Sequence, residues 1–341
     1  MSDLEPLGGG EAGAAVTVSV IIATYNAWQL LADCLESIYR NPPSEPYEII
    51  VVDDASRDGT CDMVRARFPK VRLFANEVNS HYATSNNRAF KLARGRYLYL
   101  LNNDTVMLPH AIDRMVAFLR EHPDAGAVGS KLLNEDGSIQ WSVKSLPNLG
   151  SALFGARSIV TRIWPGNPFS RRHLLHLDSD MTTPFIAGYV SSASVLIPRE
   201  VQAKVGDLDR RLSYHVDADY GKRTTNAGYN NWYLPTATVI HLNHKGGTMV
   251  HWRRRFRSVV EFHRGSYIYF QKHIRKTASL PMRIVVVAGL LFRFCVSLAI
   301  QALLELRQIA KFLGVRIVGG WRREPTAAMP ERSSRVWTPE P

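Results

Sequence analysis

The stretch RYLYLLNNDT, Arg96–Thr105, decides how this chain is read. Its unbroken apolar run, Tyr97 to Leu101, marks a strand buried on both faces, the kind found in parallel sheets. The run ends on Asn102, Asn103 and Asp104. A turn or a helix cap accounts for such an acid. So does a ligand site, because Mg2+ and Mn2+ take hard oxygen donors, typically one or two carboxylates completed by phosphate oxygens.

Upstream the same device recurs. VSVIIATYN (Val18–Asn26), YEIIVVDDAS (Tyr47–Ser56) and VRLFAN (Val71–Asn76) are apolar runs ending in polar turns. Between them lie segments with helical spacing: WQLLADCLESIYR (Trp28–Arg40), which Asn41-Pro42-Pro43 stops, then RDGTCDMVRARF (Arg57–Phe68) and TSNNRAFKLA (Thr84–Ala93). This alternation predicts an α/β fold with a doubly wound, mostly parallel sheet, whose ligand crevice lies at the strand carboxyl ends. Downstream, residues 110–133 predict a helix, a turn and a strand. Residues 134–182 read as irregular segments over the crevice, 187–206 as a strand and helix, and 231–242 as a last strand. The polar run DLDRRLSYHVDADYGKRTTNAGY precedes that strand, and no internal repeat is visible.

Composition narrows the function classes. The 341 residues carry a net charge of +12 and are 45% hydrophobic, as expected of a globular protein with a sizeable core. The basicity is local. From His251 to Arg323 there are 15 Lys or Arg against two acids, Glu261 and Glu305, so the rest of the chain is near neutral. That segment is also the most apolar, which points to an anionic membrane surface and away from nucleic acid. Cys34, Cys61 and Cys295 are too scattered for a disulfide framework or a zinc cluster, and a reducing compartment is expected.

Several residues carry chemistry. Asp54, after EIIVV, is either a turn and cap residue or an acceptor for a base or ribose. Asp217 and Asp219 stand two apart at the start of a predicted helix; N-capping explains one of them, and a carboxylate there suits a general base. His241 is either a strand-end histidine or a metal or phosphate ligand. His244, with Lys245 and Gly246-Gly247, forms a cationic loop suited to closing over a pyrophosphate.

Taken in order, VSVIIATYN, IIVVDDASRDGT, NNRAFKLARGRYLYLLNNDT, DADYGKRTTNAGY and YLPTATVIHLNHKGGT resemble the family 2 glycosyltransferases of GT-A fold, in particular the rhamnosyltransferase-like branch. The resemblance runs from about Val18 to Met249. It implies that Ala23, Tyr25 and Asp54 line the nucleobase and ribose pocket. It also implies that Asn102, Asn103 and Asp104 occupy the metal motif with Asp104 as ligand, that His241 helps hold metal or diphosphate, and that Asp217 is the catalytic base. The implied reaction is an inverting transfer of a sugar, rhamnose among the options, from a nucleoside-diphosphate sugar to a lipid-linked or polysaccharide hydroxyl, with Mg2+ or Mn2+. Two positions depart from the family pattern: Val216 stands where a Glu is usual, and His81 where a Gly is usual. A catalytically degenerate relative and a nucleotidyltransferase are the alternatives, but ATYNAW lacks the Gly-rich basic loop of the latter.

Residues 284–304 are about long enough to span a bilayer, with Arg293 at their middle. Gly289, Arg293, Ser297, Gln301 and Glu305 recur every four residues as a narrow polar stripe, which favours a helix lying in the interface or packed on a neighbour over a lipid-surrounded span. The expected organisation is a disordered leader (1–16), a glycosyltransferase domain (17–250, divided near 130 into nucleotide and acceptor halves), a basic and apolar helical region (251–320) and a disordered tail (321–341). The expected location is the cytoplasmic face of the membrane.

Overall fold

The computed structural model describes residues 15–148, 164, 167, 181–242 and 252–312. In chain order the elements are β1 (Val18–Thr24), α1 (Trp28–Arg40), β2 (Tyr47–Asp53), α2 (Thr60–Arg67), β3 (Arg72–Ala75), α3 (His81–Leu92), β4 (Tyr97–Leu101), β5 (Thr105–Met107), α4 (Ala111–Glu121) and β6 (Ala125–Leu133). Then come β7 (Val143–Lys144), β8 (Phe185–Ala187), β9 (Tyr189–Val190), β10 (Ser194–Pro198), α5 (Arg199–Val205), α6 (Val216–Asn226), β11 (Asn230–His241), α7 (Trp252–His273) and α8 (Leu280–Phe312).

The main sheet runs β3-β2-β1-β4-β10-β6-β11-β5, and β8 also pairs with β11. The first four strands of this order, β3, β2, β1 and β4, are parallel. β10 enters antiparallel between β4 and β6, and β5 and β8 are antiparallel to β11. The chain builds outward from β1 to β3, then returns through α3 to place β4 on the other side of β1. That reversal is the topological switch point at which α/β sheets bind ligands, and the ends of β1 and β4 meet there.

Alternate residues of each strand feed the two faces. Val18, Val20 and Ile22 pack with Leu31, Leu35 and Ile38 of α1 and with Ile112, Met115 and Val116 of α4. Ile21, Ile50 and Val52 pack with Ala89 and Phe90 of α3, Val201 of α5 and Val216 and Tyr220 of α6. The buried face of α1 recurs at Leu31, Leu35 and Ile38, the spacing of a helix stripe. Pro235 interrupts the β11 ladder, and the pairing with β6 shifts register between Leu234 and Thr238.

The chain divides into two units, Met1–Ala299 and Ile300–Pro341. Within the first, α7 packs on the segment before α6. Gly265 makes this possible, since a Cβ there would lie 2.8 Å from the Tyr214 carbonyl. The Tyr214 hydroxyl meets Ser258 Oγ at 2.5 Å, and Ser266 Oγ lies 3.2 Å from His215 Nε2. The stripe residues Arg293 and Ser297 turn toward α7: the guanidinium sits 5.2 Å from the Phe262 ring centre, and Ser297 Oγ is 3.4 Å from His263 Nε2. In the second unit the stripe residues Gln301 and Glu305 bond each other, Gln301 Nε2 donating to Glu305 Oε1 at 2.6 Å.

Candidate functional site

At the switch point, Asn103 Nδ2 donates to Thr24 Oγ1 at 2.8 Å, tying the end of β4 to the end of β1. Ala23 is half-buried beside it, and Tyr25 is exposed, with 39% of its surface open. The Asn102 amide donates to the Ala193 carbonyl at 3.0 Å. Beneath the turn, Cys34 reaches the Asn102 carbonyl and the Thr105 hydroxyl, and burial pushes its thiol up to about 12, so it serves packing.

Asp104 is buried, and the β5–β11 register that pairs Thr105 with His241 brings those two side chains together. His241 Nε2 lies 3.3 Å from Asp104 Oδ1 and 3.3 Å from Asn102 Nδ2. Its Nδ1 faces Gln140 Oε1 at 2.9 Å, while Gln140 Nε2 donates to the His241 carbonyl. Gln140 escapes sequence reasoning, because it sits in an irregular stretch 101 residues from its partner with no motif around it. Among the described residues there is no cluster of three or more His, Cys, Asp or Glu able to hold a metal. The donor set nonetheless fits a divalent cation: a carboxylate oxygen and an imidazole nitrogen within 3.3 Å of each other, with substrate phosphate oxygens to complete it.

Asp54 is engaged differently. Its Oδ1 accepts from Asn76 Nδ2, the Ser80 amide and hydroxyl, and Ser85 Oγ at 2.8–3.0 Å, and its Oδ2 accepts from the His81 amide at 2.8 Å. The carboxylate thus caps α3 from outside the helix. Burial works to raise its pKa, but these hydrogen bonds overcome it and leave the value lowered. His81 adopts φ +68° at this turn, a region that explains why Gly is usual there.

Asp217 occupies the first turn of α6, one residue after Val216, which is buried in the core. Burial raises the Asp217 pKa, while the Ser192 hydroxyl and amide and the charge of Lys144 pull it back. Tyr82 donates to the Ser192 carbonyl at 3.2 Å, and burial and the Asp217 charge push the Tyr82 and Tyr189 hydroxyls up. Gly221 lets α6 lie flush on β9, because a Cβ there would come within 2.6 Å of Tyr189 Cβ. One short loop, Ser191–Ala193, therefore touches both Asp217, through Ser192, and the Asn102–Asp104 turn, through Ala193. Asp219 is not part of this group. Its fully buried carboxylate takes Arg223 Nε at 2.9 Å and Lys272 Nζ and His273 Nε2 at 2.7 Å, anchoring α7.

The geometry thus brings Asn102, Asn103, Asp104 and His241 together at the β1–β4 switch point, where β1 ends in Ala23 and Thr24, and the Ser191–Ala193 loop links this turn to Asp217. Asp54 is committed to α3. His244 lies outside the described residues.

Comparisons with known proteins agree with this architecture. Residues 19–194 match the family model described as glycosyl transferase family 2. The chain is 28% identical over 234 residues to the N-acetylglucosaminyl-diphospho-decaprenol L-rhamnosyltransferase of Mycobacterium tuberculosis, covering 65% of this chain and 75% of that one. It is 34% identical over 124 residues to the putative glycosyltransferase EpsE of Bacillus subtilis, 34% of this chain and 43% of that one. Among solved structures, a mannosyltransferase from Pyrobaculum calidifontis superposes with a TM-score of 0.51 at 18% identity, over 91% of this chain and 84% of that one, which establishes likeness of fold.

Proposed function

The chain belongs to glycosyl transferase family 2 and is a glycosyltransferase, and we propose that it works by inversion, moving a sugar from a nucleoside-diphosphate donor to a hydroxyl of a lipid-linked or polysaccharide acceptor in cell-surface glycan synthesis. Rhamnose is the first donor sugar to test, given the relative that transfers rhamnose to a decaprenol-linked acceptor. The observation that carries the reading is the Asp104–His241 pair at the switch point, one short loop away from a half-buried Asp217 of raised pKa.

In this reading residues 17–130 bind the donor and 131–250 shape the acceptor side. Tyr25 offers its face to the nucleobase, and Ala23 and Asp54 form the pocket wall. Asp104 and His241 hold Mg2+ or Mn2+ with the donor diphosphate, and Asn102 and Asn103 fix the turn. When bound, the cation supplies positive charge to the leaving diphosphate. Asp217 accepts the proton of the acceptor hydroxyl as that oxygen forms its bond to the anomeric carbon. The bond from that carbon to the phosphate oxygen breaks on the opposite side, and its electron pair leaves with the diphosphate. A base whose pKa is raised takes a proton more readily.

The C-terminal helices suit a lipid-borne acceptor. α8 is long and apolar enough to cross a membrane. Its stripe residues Arg293 and Ser297 rest on α7, while Ile284, Val285, Leu291 and Phe292 are 57–71% exposed. Such a face, beside the many arginines of α7, fits a helix lying in the anionic surface of the cytoplasmic leaflet. The test of function is a nucleotide-sugar panel with Mn2+, read by thermal stabilisation and then by sugar transfer. Stabilisation and turnover with at least one donor support the proposal; a protein that binds none of the panel does not perform this reaction.

A further inference from the structure

We infer that Gln140 is a positioning residue that holds His241 in the tautomer whose Nε2 lone pair faces Asp104. The inference rests on the reading of Asp104 and His241 as the cation pair, and it explains what makes His241 a ligand there.

Gln140 meets His241 twice: its Nε2 donates to the His241 carbonyl, and its Oε1 stands 2.9 Å from Nδ1. A carbonyl oxygen only accepts, so the nitrogen end of the amide must face it. The oxygen end, also only an acceptor, then faces Nδ1, which must carry a proton. In neutral imidazole the other nitrogen keeps its lone pair. Nε2 accordingly has a donor, Asn102 Nδ2, at 3.3 Å, and a second acceptor, Asp104 Oδ1, also at 3.3 Å. In this tautomer the two acceptors repel, and a cation held between them would turn that repulsion into coordination.

Without Gln140 the balance reverses. An imidazole beside a carboxylate places its proton on the nearer nitrogen, so Nε2 would donate to Asp104 and lose its coordinating lone pair. Metal-bound histidines commonly fix their tautomer through such an outer partner, whose loss typically weakens metal binding 10–100-fold. Gln140 is well placed to serve as one. It is half-buried, its backbone N–H donates to the Leu132 carbonyl at 2.8 Å, and the neighbouring Ile139 bridges to Leu133.

The test uses the full chain with Gln140→Met, which keeps side-chain volume and removes both amide groups; its thermal unfolding serves as the fold control. Long-range 1H–15N spectra report the His241 tautomer, and Mn2+ titration in the presence of UDP, followed by electron paramagnetic resonance, reports affinity. The expected result is an Nδ1–H tautomer in the parent, loss of that tautomer in the variant, and Mn2+ binding weaker by about 10–100-fold. A parent His241 protonated on Nε2, or a variant with unchanged Mn2+ affinity, overturns the inference. A parent that shows the Gln140-dependent tautomer yet binds no Mn2+ defeats the cation-pair reading instead, and with it the purpose assigned to Gln140.

Discussion

Asp217 and Asp54 are both aspartates of the candidate site, yet their surroundings drive their pKa values apart. Asp217 is raised by burial, so its folded-state stability is greatest below the ordinary aspartate value and is lost as pH rises through the raised one. Asp217→Asn should therefore melt higher than the parent at neutral pH, and the gap should close as the pH falls below the ordinary value; thermal unfolding across pH checks it. Asp54 has the opposite sign. Its lowered pKa gives stability that is complete above the ordinary 3.8 and disappears as pH falls through the lower folded value. Removing it in Asp54→Ala strips the cap from α3 and should cost about 2 kcal/mol at neutral pH, shrinking in acid, by denaturant titration. The motif DDAS is legible in the sequence as both ligand and cap, and only the fold shows five hydrogen bonds to residues 22 to 31 positions away.

At the scale of elements, the strands are the most legible in the sequence. A strand buried on both faces has no choice but to be apolar throughout, so the first four strands and the helices between them follow from pattern alone. β10 was harder. Its run, AGYVSSASVLIP, reads as one strand, but it breaks at Ser191–Ala193 because that loop must reach both Asp217 and the Asn102 amide. The antiparallel insertion of β10 likewise has no local signature, since antiparallel and parallel central strands are equally apolar. The anchoring of α7 was also hidden. Asp219, Lys272 and His273 are 53 and 54 residues apart, and nothing nearby marks them as partners. Because Asp219 is fully buried against Arg223, Lys272 and His273, Asp219→Ala should leave the Arg223 and Lys272 charges uncompensated and cost about 3 kcal/mol. Chemical denaturation measures the loss, and proteolysis within α7 should rise in parallel.

For the whole molecule, the asymmetry of charge and apolarity is the organising feature. A near-neutral domain carries a basic helix, and α8 sets Arg293 and Ser297 against α7 while Ile284, Val285, Leu291 and Phe292 stay exposed. That arrangement predicts flotation with vesicles containing anionic lipid, weaker association with purely zwitterionic vesicles, and release by alkaline carbonate. Retention after carbonate would indicate a true span.

The central claim is that one carboxylate and one histidine at the switch point bind the donor through a divalent cation while Asp217 takes the acceptor proton. The most direct measurement is Mn2+-dependent donor binding and sugar transfer compared across the parent, Asp104→Ala and Asp217→Asn. The account predicts that Asp104→Ala loses Mn2+-dependent donor binding. It predicts that Asp217→Asn keeps binding but transfers about 10^2–10^4-fold more slowly. An Asp217→Asn protein that binds donor and turns over at the parental rate would contradict it.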